Sequence, residues 1–592
     1  MHTSVTDAHL ARRRAICIDL LVAFTLAVIL TVGWTLTDWP RLSHMLLPDP
    51  DDMMRLAQVR DWIAGQGIND WTQYRMAPPD GSPMHWSRIN DVGIAGLILA
   101  AAPLVGMAKA EMFAVLVYPG LLFAGAMFLS ARIGRRLWGA GGGSVAAVLT
   151  ALAYPGTTVF IPGRIDHHAL QVVLIQLLVL LLMRSPTLCG GIVAGALAGL
   201  SLIVGLETAP QVAALMAVLA LFWVAHGTVE RTRLGGFAIG LAGSTLFFLI
   251  LLRPTFWTSQ LCDAFTPASA TAALATGAGL AILALATSSL RTWRLRIGAG
   301  LIIGGVALGG TLLAFPSCIN GPYGEMDPFL LHAFLPYIDE ANSVFDQPRL
   351  SRLIAIGGMM ATASIVAIWM LARARARWAI LLPLASVVLM SALVLLFQVR
   401  GAYIGAPLAA PMLAGLVILA RRRLSWRTPA VIGAWLAGAG MVYATIPEQI
   451  ELRTARETSG INGPRPQVVC SAGGAWQQID RLPRGVMMAG TSVAAYVIGA
   501  THHSTIGAGY HRNNRGNMAM YRFFLGPPSD SRAIARAWGA DYVLLCPGDF
   551  SEIDAARNFP DSLVAQLEAD RVPDWLEPLP LKGTPLRVYA VR

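Results

Sequence analysis

Stretches of about 20 uninterrupted apolar residues recur along this chain, and that is the length needed to cross the hydrocarbon core of a bilayer. Residues 15–36 and 352–371 are clear examples. Of the 592 residues, 55% are hydrophobic and only 13% charged, whereas a soluble domain carries about 25% charged residues. Run length and composition together predict a polytopic α-helical membrane protein.

Fourteen apolar segments can be delimited: 15–36, 91–107, 111–131, 143–160, 168–184, 189–205, 208–226, 234–253, 268–290, 295–315, 352–373, 378–398, 403–420 and 429–446. Beyond 447 such runs stop. Residues 447–592 read as a soluble α/β domain, with a strand at Asp541-Tyr-Val-Leu-Leu545 and a helix over 531–538. The first segment follows Arg12, Arg13 and Arg14 but lacks a small-residue cleavage site, so it reads as a retained helix.

The formal net charge is +11. The arginines cluster at the ends of apolar segments, which is the pattern of charge-oriented membrane proteins and not of a nucleic-acid surface. If segment 91–107, short and rich in Ala and Gly, does not cross, every strongly basic loop falls on one side. Those loops are Arg132/Arg135/Arg136, Arg184, Arg231/Arg233, Arg291/Arg294/Arg296, Arg373/Arg375/Arg377 and Arg421–Arg423. The expectation is therefore about thirteen transmembrane helices over residues 1–446, a basic inner face, and a C-terminal domain outside. Outer loops 37–90 and 316–351 and the turn at 161–167 then hold the unusual acidic residues. Cys17 and Cys189 fall near inner ends, whereas Cys262, Cys318, Cys470 and Cys546 fall outside, where an oxidising environment permits disulfides. A Cys470–Cys546 bridge is compatible with this layout, and spacing leaves the pairing open.

Four clusters can carry chemistry. Asp49-Pro-Asp-Asp-Met-Met-Arg55 groups three carboxylates in four residues, a hard-oxygen site for Mg²⁺ or Mn²⁺; the same residues suit a helix N-terminus. Gly163-Arg-Ile-Asp-His-His168 offers Asp166 and His168 as metal ligands, or caps a helix. Tyr337-Ile-Asp-Glu340 closes a long outer loop. Arg400 stands at a helix junction, able to snorkel or to clamp a phosphate. In the tail, Ala500-Thr-His-His503 and Tyr510-His-Arg-Asn-Asn514 suit a sugar or phosphate site, or a polar loop; His503, Tyr510, His511, Arg512 and Asn513 are the candidates there.

In this order, the clusters resemble those of the catalytic subunit of oligosaccharyltransferase and, more broadly, of GT-C membrane glycosyltransferases. Asp49-Pro50 with Arg55 is similar to that family's first-loop motif, and Ala77-Pro-Pro-Asp-Gly81 to the Pro-Gly turn after it. Gly163-x-x-Asp166-x-His168 resembles the second-loop motif. Glu340 matches the Glu of the fifth-loop Ser-Val-Ser-Glu, and Arg400 with Ala406-Pro407 matches an Arg that contacts the phosphate of a lipid-linked donor. The resemblance implies Asp49, Asp166, His168 and Glu340 as ligands of one divalent cation (Mn²⁺ or Mg²⁺), with Asp49, Asp166 and Glu340 catalytic. It implies Arg400 as the clamp for a polyprenyl-(pyro)phosphate glycan donor, on the outer face of a bacterial-type inner membrane. The family's Trp-Trp-Asp-Tyr-Gly acceptor motif is missing from 447–592; Gly490-Thr-Ser-Val-Ala-Ala-Tyr496 stands near its place, so the acceptor (protein, lipid or glycan) stays open. A lipid-linked-glycan flippase would instead place charge at mid-membrane and show inverted repeats, and neither is evident. A polysaccharide polymerase or ligase would share the donor without the metal.

Overall fold

The structure, a computed structural model, describes residues 2–259, 261–324, 326–423, 428–458, 470 and 473–592. Among these, nine helices are long and apolar enough to cross a membrane, or ten if Pro429–Gly438 and Gly440–Arg453, bent by 92° at their junction, count as one. Each of the fourteen apolar segments contains a helix. Of the thirteen segments expected to cross, nine hold these helices, one is the bent pair, and three hold the shorter helices Ala140–Ala151, His168–Leu182 and Leu188–Val204; Ile89–Val105, also short, is the segment expected not to cross.

Two charged layers lie at opposite ends of the bundle. Helix Met107–Trp138 connects them: the Val115 carbonyl accepts from Gly163 N (2.9 Å), while Arg132 and Arg135 bind Asp19 of the first helix (3.0 and 2.5 Å). The rise from 115 to 135 is about 30 Å, one hydrocarbon thickness. At the arginine end, Arg422 reaches the Trp138 carbonyl (3.2 Å) and Arg296 that of Trp223 (3.0 Å). The basic loops singled out by charge thus gather at that end.

Segment 91–107 forms helix Ile89–Val105, which turns back at Gly106 (φ +81) along the first turns of Met107–Trp138. A Cβ on Gly93 would meet the Tyr118 ring at 2.6 Å, so the two helices touch backbone to ring. Glu111 in the same hairpin is held by Arg60, whose Nη1 also donates to the Gly499 carbonyl of the tail (2.7 Å). This helix therefore packs at the C-terminal-domain end and extends away from the arginine layer.

The C-terminal domain carries a five-stranded sheet in the order Ser504–Thr505, Val486–Ala489, Tyr542–Leu545, Arg587–Val591, Leu576–Leu579. The first three strands are parallel and the last two antiparallel to their neighbours. Tyr542–Leu545 is buried at every position, as an unbroken apolar run at a sheet centre should be. The short edge strand is covered by the first outer loop: Thr505 N donates to the Arg75 carbonyl and Ala77 N to that of Thr505 (both 2.8 Å), which closes an edge open to foreign pairing. Helix Thr491–Ala500 packs on helix Pro50–Ile63 so closely that a Cβ on Gly499 would lie 2.7 Å from the Met53 carbonyl. Two disulfides, Cys262–Cys318 and Cys470–Cys546, lie at this end, whereas Cys17 and Cys189 are free thiols.

Candidate active site

Helix Pro50–Ile63 begins where the sequence allows. Asp49 is extended and accepts from Asp51 N (3.0 Å), Pro50 occupies the first turn, and Asp51 and Asp52 face the positive end of the helix dipole. The cap does not use up the carboxylates. Asp49 Oδ2 lies 2.5 Å from Arg164. Asp52, fully buried, accepts from the amides of Ile165 and Asp166 (2.8 and 2.9 Å) and so seats the second cluster on the first.

The turn that carries the second cluster depends on Gly163, at φ +88, where a Cβ would also come within 2.7 Å of Pro48. Beyond it, Asp166, His167 and His168 are all buried, with potential ligand atoms within 4.8 Å of one another. Asp166 is held on one oxygen only: Oδ1 receives Arg55 (2.9 Å) and His167 Nδ1 (2.7 Å). Its Oδ2 is buried, has no hydrogen-bond partner, and lies 3.4 Å from His168 Nε2. Glu340 Oε2 is 3.7 Å from the same nitrogen, and 3.0 Å from Arg400 Nε. Asp166, His168 and Glu340 therefore present three converging donor atoms.

An orphaned buried carboxylate oxygen beside an imidazole and a second carboxylate fits a divalent cation. His167 instead acts as a brace, with Nδ1 on Asp166 and Nε2 3.3 Å from Glu207. Despite the opposing effect of burial, those two carboxylates push the His167 pKa up to about 10, so it bridges as a cation. Burial, then the charges of Asp49, Asp166 and Glu340, push Asp51 up to about 7. A crowd of carboxylates raises its members' affinity for protons or for metal.

Asp49, Glu207, Glu340 and Arg400 line one cavity of about 750 Å³ beneath the C-terminal domain. Tyr510 and His511 form part of its wall. The Tyr510 hydroxyl meets the Pro50 carbonyl (3.3 Å), and its ring stands edge-on to Trp86. Arg512 chelates Asp263 (2.9 and 2.6 Å), which His511 also contacts, fastening the tail to the 253–266 loop. Arg512 and His511 hold Asp263 well below the usual carboxylate range against the effect of burial. Asn513 caps helix Asn514–Leu525. His503 stands apart, with its ring nitrogens on Gly485 N and the Ile479 carbonyl (3.2 and 3.0 Å). Thr491 and Ser492, near the place of the missing acceptor motif, also line the cavity.

The structure gives positions to residues for which the motif reading assigned no role. Arg55 lies under the cluster, fully buried, bonded to Asp91 (3.2 Å) and Asp166 and stacked 4.4 Å from the Trp86 ring. Glu207 anchors His167 and accepts from Gln171 (2.9 Å). Its one sequence signal is a carboxylate two residues after Gly205, where an apolar run breaks. Arg164 lies inside a quoted motif and pairs with two acids of the other.

No family model and no curated protein matches the sequence. Solved structures do. The apo oligosaccharyltransferase of Archaeoglobus fulgidus aligns with TM-score 0.63 at 14% identity, over 90% of this chain and 70% of that one. The same organism's oligosaccharyltransferase AglB, in complex with an inhibitory peptide and a dolichol-phosphate, gives 0.63 at 14% over 98% and 74%. A complex with Zn and sulfate gives 0.58 at 16% over 98% and 73%. The chain has the GT-C membrane fold of the oligosaccharyltransferases, with a strand-containing soluble C-terminal domain.

Proposed function

We propose that the chain is a metal-dependent glycosyltransferase that moves a sugar or oligosaccharide from a polyprenyl-(pyro)phosphate donor to an acceptor at the C-terminal-domain face of the membrane. The observation that carries this reading is convergence. Asp49, Glu340 and Arg400, from three distant segments, line one cavity, and Asp166 with His168, from a fourth, lies buried against Glu340 behind its wall.

Asp166, His168 and Glu340, with Asp49 beside them, would hold Mn²⁺ or Mg²⁺, which when bound supplies Lewis-acid neutralisation of charge on the leaving phosphate. Arg400 adds a fixed cation. Glu340 ties down its Nε, leaving the two terminal amino groups to pair with phosphate oxygens. Asp49 and Glu340 orient the acceptor nucleophile toward the sugar's anomeric carbon. His167, fixed by Glu207, keeps Asp166 aimed with its free oxygen toward the metal position. Loop 316–351 supplies Glu340 and Tyr323 to the cavity and serves as its cover.

The outside placement of the C-terminal domain rests on two asymmetries. The arginines collect at the opposite end, as cytoplasmic loops do. Both disulfides are on the C-terminal side and both free thiols belong to the basic half. The bacterial-type inner membrane we propose is consistent with this polarity. The neighbour's dolichol-phosphate and peptide support a lipid-linked donor and leave the acceptor class to experiment. The test is deletion of the gene followed by mass-spectrometric profiling of glycoproteins, glycolipids and surface polysaccharide. One glycoconjugate should disappear, returning with the wild-type gene and not with Asp166→Asn. An unchanged glycan profile in the deletion strain refutes the assignment.

A further inference from the structure

A second cavity, of about 860 Å³, opens at the arginine end, some 30 Å of helix away from the catalytic one. Arg132, Arg135, Arg136, Arg184 and Arg233 line it, together with Thr187, the N-cap of helix Leu188–Val204. Five guanidinium groups share two carboxylates. Asp19 takes Arg132 and Arg135, and Glu230 takes Arg233 (2.7 Å). Arg136 donates from Nε and Nη2 to the Met183 carbonyl (3.0 and 2.6 Å), and no ion pair among the described residues neutralises it or Arg184.

Membrane orientation needs arginines in the loops, and exposed ones such as Arg291 satisfy it. It does not need them turned into a concave site. The walls are not uniformly polar either: Leu180, Leu181 and Val193 line the same cavity, and Leu188 and Val193 are exposed beside it. A cationic floor under an apolar wall, at bilayer-surface depth, matches a phosphodiester with acyl chains attached. A soluble phosphate would use only half of it.

We infer that this cavity binds the phosphate of an anionic phospholipid, with Arg136 and Arg184 as its principal contacts and the Leu181–Val193 wall receiving an acyl chain. The site is independent of the proposed transfer chemistry. It secures the helix pair His168–Leu182 and Leu188–Val204, the first of which begins with His168 of the catalytic cluster.

The experiment uses the purified full chain in detergent. Native mass spectrometry is run with added phosphatidylglycerol, with phosphatidylcholine of the same acyl chains, or with inorganic phosphate. Wild type should retain phosphatidylglycerol in preference to phosphatidylcholine. Arg136→Gln/Arg184→Gln should weaken that binding roughly 30-fold, and Arg184→Gln alone, whose side chain makes no hydrogen bond to the described residues, about 5-fold. Arg291→Gln should leave it unchanged. In a Cys17→Ser background, phosphatidylglycerol should also slow maleimide labelling of Cys189, which lines the cavity. Equal retention of the two lipids, or unaltered binding in the double variant, overturns the proposal. So does a phosphate response that matches the lipid's, since the occupant would then be a soluble anion.

Discussion

Replacing Arg55 with Met tests whether the catalytic cluster is built on a buried ionic floor. Its side chain is fully buried, as is that of Asp91, and Asp166 is nearly so. Its terminal nitrogens donate to Asp91 (3.2 Å), Asp166 (2.9 Å) and, at the limit of bonding, the Ser87 carbonyl (3.4 Å). Methionine fills similar volume and removes the charge, so two buried carboxylates lose their shared cation; Arg88 still serves Asp91 (3.3 Å), but Asp166 keeps only histidines. Removing one partner of a buried ion pair costs about 3–5 kcal/mol. In a thermal melt of the detergent-purified protein, that corresponds to a drop of roughly 2–4 °C for a chain of this length. Arg55→Lys should recover only part of it, because an ammonium cannot span the planar fork's targets. The sharper readout is a double-mutant cycle with Asp166→Asn. If Arg55 acts through Asp166, the double variant should lose less than the sum of the singles, by about 1–3 kcal/mol. Additive losses, or an Arg55→Met protein that melts like wild type, would refute the reasoning.

Other perturbations separate site from scaffold. Arg400→Gln should lower kcat for donor cleavage about 10²–10³-fold with an unchanged melting point, measured on a lipid-linked glycan, because it removes charge aimed at the leaving phosphate. Gly205 has extended backbone that any residue adopts, yet a Cβ there would lie 2.2 Å from Glu207 Oε2 and 2.9 Å from His167 Nε2; Gly205→Ala should cost about 1–3 kcal/mol in a melt and displace the His167 brace, lowering activity. Burial pulls His85 well below the ordinary histidine pKa, against the attraction of Asp263 and Glu207 and with repulsion from His511 and Arg512. The unfolded chain then takes up a proton that the folded one refuses, so stability falls as pH drops below about 6.5; His85→Gln should flatten that slope by up to 1.4 kcal/mol per pH unit, read from melts between about pH 5 and 6.5. Reducing Cys262–Cys318, which closes a 56-residue separation, should cost about 4 kcal/mol in the chain-entropy picture, and peptide mapping under non-reducing conditions should recover the linked pair.

The helices were legible because their signal is local: an apolar run long enough to span reads the same in sequence and in space. The oddity of segment 91–107 was readable from charge bookkeeping alone, and the structure places it against Tyr118 and Glu111 at the C-terminal-domain end. Asp49, Asp166, His168, Glu340 and Arg400 could be picked out because each lies in a short string that resembles a family motif. Their supports could not. Arg55, Asp91 and Glu207 act across 36 to 111 residues of separation, and nothing in a string such as Gly205-Leu-Glu207 says that its acid will meet His167. Composition also misleads in the tail. His503 and His511 are equally polar and eight residues apart, yet one is a satisfied bond between Gly485 and Ile479 and the other lines the cavity. Which of them faces the cavity is decided by the register of the edge strand Ser504–Thr505 and by the Asp263 clamp. Both are tertiary facts.

The central claim is that the orphaned Asp166 oxygen, His168 and Glu340 form a metal-assisted site for cleaving a lipid-phosphate–sugar bond. The most direct measurement follows release of polyprenyl phosphate from a labelled lipid-linked glycan pool by the purified protein, with Mn²⁺ and with chelator. Release that requires the metal, returns on its re-addition, and falls at least 10²-fold in Asp166→Asn and Glu340→Gln proteins that are still folded at the assay temperature is the predicted result. Equal release in chelator, or full activity in both variants, would contradict it.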